Sequence, residues 1–192
     1  MQISHYSDAE LIHDYIRGNE QALEVLINRY KDKVYTTIYM LVKDKYLAED
    51  IFQDAFLKII RTIKDGRYSE QGKFLPWAVR VAHNLCMDYF RRSKNQIPVT
   101  LPDGQDIAEL FGAGDMVADV IEKRQVHESV RKLVEELPDE QREVIVLRIY
   151  SDLSFKQISE LTGVSINTAL GRMRYGLINL RKMVSEKQMV LR

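Results

Sequence analysis

Between Glu20 and Lys43 the chain runs without a single proline or glycine, while apolar side chains recur at Leu23, Leu26, Ile27, Tyr30, Val34, Ile38 and Leu41. Intervals of three and four residues place these side chains on one stripe of an α-helix roughly six turns long. Such a helix cannot bury its stripe alone. It needs other helices around it, and the flanking sequence supplies them. Ser7 with Glu10 forms a capping box ahead of Leu11, Ile12, Tyr15 and Ile16. Asn19 can cap the long helix itself. A third helix is predicted from about Leu47 to Lys64, a loop over 65–72, and a fourth helix from about Lys73 to Ser93. Further on, helices are expected from Asp119 to about Glu136, from a first turn holding Pro138 to Tyr150, and twice more before the end. No strand pattern competes, so the fold class is all-α.

The rhythm fails between 97 and 120. This stretch collects two of the four prolines, three glycines and five carboxylates, Asp103, Asp106, Glu109, Asp115 and Asp119, with no Lys or Arg. It reads as an acidic flexible linker between two small helical domains, 1–96 and 121–192. The formal net charge of zero is therefore misleading, because the three segments carry +2, −5 and +3. Residues 154–192 alone hold seven basic and two acidic side chains. A basic concentration of this kind suits a nucleic-acid partner.

Within that basic end, Ser154-Phe155-Lys156-Gln157 is a second capping box, with Phe155, Ile158 and Leu161 on one helix face. Gly163 can adopt the left-handed conformation of a tight inter-helix turn, and Ser165 can cap the next helix. This is a helix-turn-helix layout. On its second helix, Ile166, Ala169, Met173, Leu177, Leu180 and Val184 are expected to face the core. The opposite face then presents Asn167, Thr168, Gly171, Arg174 and Tyr175, with Arg172 and Arg181 at its flanks. Arginine grips guanine or phosphate, asparagine pairs with adenine, and glycine permits close backbone approach. Phosphate and base contacts are not distinguished by this pattern.

The run Leu137-Pro138-Asp139-Glu140-Gln141-Arg142-Glu143-Val144-Ile145-Val146-Leu147-Arg148, followed by Leu153-Ser154-Phe155-Lys156-Gln157-Ile158-Ser159 and Gly163-Val164-Ser165, resembles the promoter −35-reading domain (region 4) of bacterial sigma factors. The resemblance implies −35 contacts from Ser165, Asn167, Thr168, Gly171, Arg172, Arg174 and Tyr175. In the recognition helix the sequence departs from the family pattern at Thr168-Ala169-Leu170-Gly171-Arg172, and Tyr175 stands at an often basic position. The binding mode therefore carries over, but not the DNA sequence read.

The N-terminal half resembles sigma region 2. Ala48-Glu49-Asp50-Ile51-Phe52-Gln53-Asp54-Ala55-Phe56-Leu57 is similar to the segment that docks on core RNA polymerase. Taken alone, Glu49, Asp50, Gln53 and Asp54 form an acidic ridge that is more often merely a solvated face. The resemblance implies that this ridge, with Phe56 and Leu57, contacts polymerase. Phe74-Leu75-Pro76-Trp77-Ala78-Val79-Arg80-Val81-Ala82-His83-Asn84 and Asp88-Tyr89-Phe90-Arg91-Arg92 resemble the segment that opens and reads the −10 element. Interleaved aromatics and cations suit a displaced single strand. The implied −10 contacts are Arg67, Tyr68, Lys73, Arg80, Asn84, Arg91 and Arg92, with Gln71 in the pocket wall. Trp77 and Tyr89 are expected mainly in core packing.

Taken together, these motifs are similar to the extracytoplasmic-function (group IV) sigma factors. The expectation is a cytoplasmic transcription initiation factor that directs core RNA polymerase to promoter DNA and answers to an anti-sigma factor, as a monomer or heterocomplex. The linker would berth in a basic channel of the polymerase. An ordinary helix-turn-helix regulator, or a sigma mimic acting without polymerase, is the alternative. Neither a nucleophile with its base nor a phosphate loop is present, so no enzyme activity and no cofactor are expected. His5, His13, His83 and His127 are scattered, so no metal site is expected. No stretch suggests membrane insertion. The single cysteine, Cys86, reads as a buried apolar side chain.

Overall fold

A computed structural model of the protein describes residues 5–69, 72–93 and 128–187. The expected linker, and with it Asp103 to Asp119, lies outside the described residues, as does Gln71. Helices α1 (Asp8–Ile16), α2 (Glu20–Val42), α3 (Lys45–Lys64) and α4 (Phe74–Ser93) build the N-terminal module. Helical residues 128–135 (α5), α6 (Asp139–Ile145), α7 (Phe155–Thr162) and α8 (Ile166–Glu186) build the C-terminal one. Among the described residues there is no strand, and no group of side chains suited to a metal ion.

Several boundaries have a local cause in a capping side chain. Ser7 accepts from Glu10 N while Glu10 Oε2 accepts from Ser7 N at 2.7 Å, completing the first capping box. Asn19 Oδ1 caps α2 by accepting from Gln21 N. At the far end of α2, Lys43 turns left-handed at φ 58°, a conformation seldom adopted outside glycine and asparagine. Asp44 Oδ1 then accepts from Leu47 N, so α3 starts two residues before the expected position. Pro138 stands as the residue before α6 rather than inside its first turn.

α2 is the axle of the fold. Leu23, Leu26, Val34, Ile38 and Leu41 are buried along it, and α1, α3 and α4 pack around it. The Asp8 carboxylate fixes α1 to α2, accepting from Arg29 and from the Tyr30 hydroxyl, both at 2.6 Å. Burial and this carboxylate together push the Tyr30 phenol up to about 12. Phe74 at the start of α4 is fully covered by Tyr30, Tyr68 and Trp77. Cys86 is buried as expected, and the apolar surroundings raise its thiol to about 12.

The helix that begins at α6 does not stay α-helical to Tyr150. Its last five residues, Val146–Tyr150, form a π turn, closed by Ser151 N donating to Val146 O at 3.3 Å. The wider turn brings Ser151 against α2. There the Ser151 and Thr37 hydroxyls lie 2.7 Å apart, both buried, while Thr37 Oγ1 donates to Lys33 O. The C-terminal module thus packs directly on the N-terminal one. Val134, Leu137, Ile145 and Val146 join the core built by α1 to α4, and Val79 of α4 joins Val144, Leu147, Leu153, Ile158 and Ala169.

In α8 the buried stripe differs from the expected one. Ile166 and Leu177 are exposed, whereas Ala169 and Gly176 are buried and Met173, Leu180 and Met183 are partly so. Gly176 is the reason: a Cβ there would lie 2.6 Å from Ile145 Cδ1, so the missing side chain lets α8 approach α6 and rotates the helix onto this edge. Gly171 has nothing within 4 Å of its notional Cβ. The two glycines should therefore respond with opposite sign in urea unfolding. Gly176→Val should cost roughly 1–3 kcal/mol by overpacking. Gly171→Ala should stabilise by roughly 0.5–1 kcal/mol through backbone entropy alone. Shifts in the same direction would contradict this packing.

Candidate nucleic-acid interface

Lys73 immediately before α4, and Trp77, Arg80, Asn84 and Arg91 along it, follow one another at spacings of four, three, four and seven and so share one side of the helix. All but Trp77 are exposed. Trp77 is half-buried because Tyr68 from the preceding loop packs against it, ring centroids 4.3 Å apart, with Phe74 as the floor of both. The result is an aromatic shelf beside a row of cations, the combination that holds unstacked bases and their phosphates. Arg67 is exposed and pairs with Asp65 at 2.5 Å, and Arg91 pairs with Asp88 at 2.6 Å. Arg92 is exposed without an ion pair among the described residues. Tyr89, expected in the core, is 40% exposed at the edge of this face and meets the ring of Phe90.

The helix-turn-helix forms as expected. Ser154 and Gln157 complete their capping box, Gly163 is left-handed at φ 72°, and Ser159 Oγ donates to Val164 O across the turn. Ser165 Oγ accepts from Thr168 N at 3.0 Å and lies 2.9 Å from Thr168 Oγ1. These two hydroxyls hold the N-terminus of α8 as well as facing outward. Asn167, Arg174 and Tyr175 are exposed, and Gly171 is partly so. Arg172 is different: its guanidinium turns back to Glu140 at 3.0 Å and is largely covered. The exposed cations of this face are therefore Arg174 and Arg181.

On α3, the expected polymerase ridge divides. Asp50, Gln53, Asp54 and Leu57 are exposed, and Glu49 is half-buried beside Tyr35, whose phenol is raised chiefly by burial and then by that carboxylate. Phe56 is buried in the core, with the Phe52 ring at 4.6 Å. Its place on the inner side of α3 follows from the helical period, since it continues the Ile51, Ala55 and Ile59 stripe.

The structure also brings together residues that were not expected to meet. His83 is buried, and Glu143 of α6 lies 2.8 Å from its Nε2. Arg80 faces Glu160 of α7 at 3.7 Å. Between the modules lies a cleft of about 420 Å³, walled by Tyr68, Trp77 and Arg80 on one side and Leu153, Gln157 and Leu161 on the other. A sequence signal existed for this seam. His83 occupies a core position in the run Val79, Ala82, His83, Cys86, as Thr37 does in Val34, Thr37, Ile38, Leu41. A polar residue at such a position needs a hydrogen-bond partner, and each of these two finds one in the other module.

Two family patterns match the chain in this order: Sigma-70 region 2 over residues 26–96 and Sigma-70, region 4 over residues 127–170. The fold and these matches define a two-module factor of the sigma-70 class. Curated relatives include the ECF RNA polymerase sigma factor SigM of Bacillus subtilis, 30% identical over 74% of this chain and 83% of its own length. SigW of the same organism is 27% identical over 88% of this chain and 92% of its own. The chain belongs to the ECF RNA polymerase sigma factor family. Solved structures share its fold. RpoE, in complex with the anti-sigma factor NepR from Bartonella quintana, superposes with a TM-score of 0.65 at 16% identity, over 85% of this chain and 96% of its own. CnrH, in complex with the cytosolic domain of CnrY, gives 0.61 at 18% identity, over 94% and 99%.

The burial of Cys86 makes a direct check of the core beneath this interface. Since its thiol is raised to about 12, it should stay protonated and inert to a disulfide reagent at pH 8, and react rapidly once the protein is unfolded in denaturant. Fast native-state labelling would mean that α4 is not packed as described.

Proposed function

We propose that this protein is a transcription initiation factor that binds core RNA polymerase and directs it to specific promoters. On this reading the region 4 helix α8 reads the −35 element as duplex, and the region 2 face of α4 melts and holds the −10 element. The observation that carries it is the pairing, in one chain and in family order, of the aromatic and cationic side of α4 with a fully capped helix-turn-helix. Asp50, Gln53, Asp54 and Leu57 form the polymerase contact, an acidic ridge ending in an apolar side chain. Base and phosphate contacts at −10 fall to Arg67, Tyr68, Lys73, Arg80, Asn84, Arg91 and Arg92, and those at −35 to Asn167, Thr168, Gly171, Arg174 and Tyr175. Ser165 chiefly caps α8.

The polymerase makes the phosphodiester bonds, and this protein contributes recognition and strand separation without catalysis of its own. Its place of action is the cytoplasm, where the polymerase is; no described helix is long and apolar enough to cross a membrane. An anti-sigma factor is a fitting further partner, since RpoE, which shares the fold, was solved with one.

Run-off transcription from a genomic promoter pool, with core polymerase and with or without the protein, tests the whole reading: new transcripts are expected only with the protein present. Two variants test its parts. Asp50→Lys with Asp54→Lys should abolish co-elution with core polymerase while leaving helicity intact. Unchanged co-elution would move the docking surface elsewhere. Arg174→Ala should weaken −35 duplex binding by roughly 1–3 kcal/mol if it grips a base. A small loss that is uniform across sequences would make it a phosphate contact.

A further inference from the structure

The cleft between the modules has the chemistry of a small-molecule site. Its volume, about 420 Å³, falls within the roughly 300–1,000 Å³ that such sites occupy. One wall is aromatic: the Tyr68 and Trp77 ring centroids lie 4.3 Å apart, both side chains half-buried, with Phe74 covered behind them. The opposite wall belongs to the other module and is aliphatic, with Leu153 and Leu161. Arg67, Lys73 and Arg80 also line the cleft, all exposed, and Glu160 is the one carboxylate among the described lining residues. In a chain with no net charge, three cations around one recess focus a positive field into it.

We propose that this cleft binds a free purine nucleoside triphosphate, with the base between the aromatic and aliphatic walls and the phosphates on Arg67, Lys73 and Arg80. The proposal goes beyond promoter recognition and does not depend on it, because this site needs a wall from each module. Three observations carry it. An aromatic shelf facing leucines makes a slot for a flat ring system, and two neighbouring rings offer a purine more stacking area than a pyrimidine can use. The cations remain open to phosphate. Lys73 makes no ion pair among the described residues, and Arg80 stands 3.7 Å from Glu160, beyond hydrogen-bond distance, with both side chains about half exposed. The pair of Arg67 with Asp65 is also exposed and leaves other guanidinium N–H groups for a phosphate oxygen. Finally, Gln157 commits its Oε1 to the cap of α7, accepting from Ser154 N at 2.8 Å, so the end left for a ligand is its amide nitrogen. That nitrogen only donates, and it suits the N7 acceptor common to adenine and guanine.

Trp77 is the sole tryptophan of the chain, so its fluorescence reports on the shelf directly. Titration of the full chain with ATP at low salt should give saturable quenching. ATP should bind at least tenfold more tightly than adenosine or inorganic tripolyphosphate, each of which carries half of the ligand. Equal affinity for tripolyphosphate would reduce the cleft to general anion attraction, and ATP retained in equilibrium dialysis without quenching would sit elsewhere. Either result overturns the proposal, as does an absence of binding at millimolar ATP. Gln157→Glu tests the α7 wall with the fold kept intact, since glutamate completes a capping box as glutamine does. This variant should bind ATP at least fivefold more weakly at unchanged helicity; unchanged affinity would remove α7 from the site and overturn the proposal. Arg91→Ala with Arg92→Ala lies outside the cleft and separates a free nucleotide from a strand. It should weaken binding of a labelled single-stranded oligonucleotide and leave ATP affinity unchanged, whereas parallel loss of both would mean that ATP only samples the strand-binding face, against the proposal. None of these readouts needs polymerase, while missing run-off transcripts would count against the initiation-factor reading alone.

Discussion

The fold depends on α2 being buried on two sides. A helix packed on one side shows a single apolar stripe, but α2 buries Leu23, Leu26, Val34, Ile38 and Leu41 and then Thr37 and Met40 as well. Its own module takes one side, through α1, α3 and α4, and the π turn of the other module takes the rest. Thr37 is tolerable there because its hydroxyl is satisfied twice, by the Lys33 carbonyl within the helix and by Ser151 across the seam. The π turn is the matching adjustment. A regular α-helix from Asp139 to Tyr150 would set its terminal residues at a different angle, and the widened turn brings Ser151 and Leu153 to where α2 and α7 need them.

Much of this architecture could be read from the amino-acid order because it depends on local chemistry. Capping boxes at Ser7 and Ser154, the cap at Ser165 and the left-handed Gly163 all fall where side-chain reach and backbone sterics demand. The features that escaped sequence reading depend on the approach of distant segments. Gly176 looks like any helical glycine until Ile145 is brought against it, and only then does the buried edge of α8 pass through it instead of Leu177. Phe56 shows the opposite case. The family pattern marks it as part of a contact segment, while the helical period puts it in the core, and the period decides where the ring points.

The same division applies to the candidate site. Asn84, Arg91, Arg92, Asn167, Arg174 and Tyr175 are exposed as expected, because polar side chains on the far side of an apolar stripe have nowhere else to go. Arg172 is not free, since the distance from α8 to α6 allows Glu140 to reach it, and no pattern within α8 could reveal that. His83 lies inside an apolar run, and its position is the clue: a histidine at a core spacing implies an acceptor, here Glu143 sixty residues further on.

These pairings change the meaning of a chain with no net charge. Glu140, Glu143 and Glu160 all come from the −35 module, and each is set against Arg172, His83 or Arg80. The balance is therefore organised at close range as well as along the sequence. A phosphate approaching a cation already paired with a carboxylate must displace that side chain, in addition to the counterions that leave the nucleic acid itself. The two contacts differ in what they do. Arg172 and Glu140 lie within one module and brace α8 against the start of α6. Arg80 and Glu160 lie across the seam, on α4 and α7, and tie the two modules together at an exposed edge. The same chemical pair thus braces one helix against its neighbour in one place and joins two modules in the other, according to which elements its partners belong to.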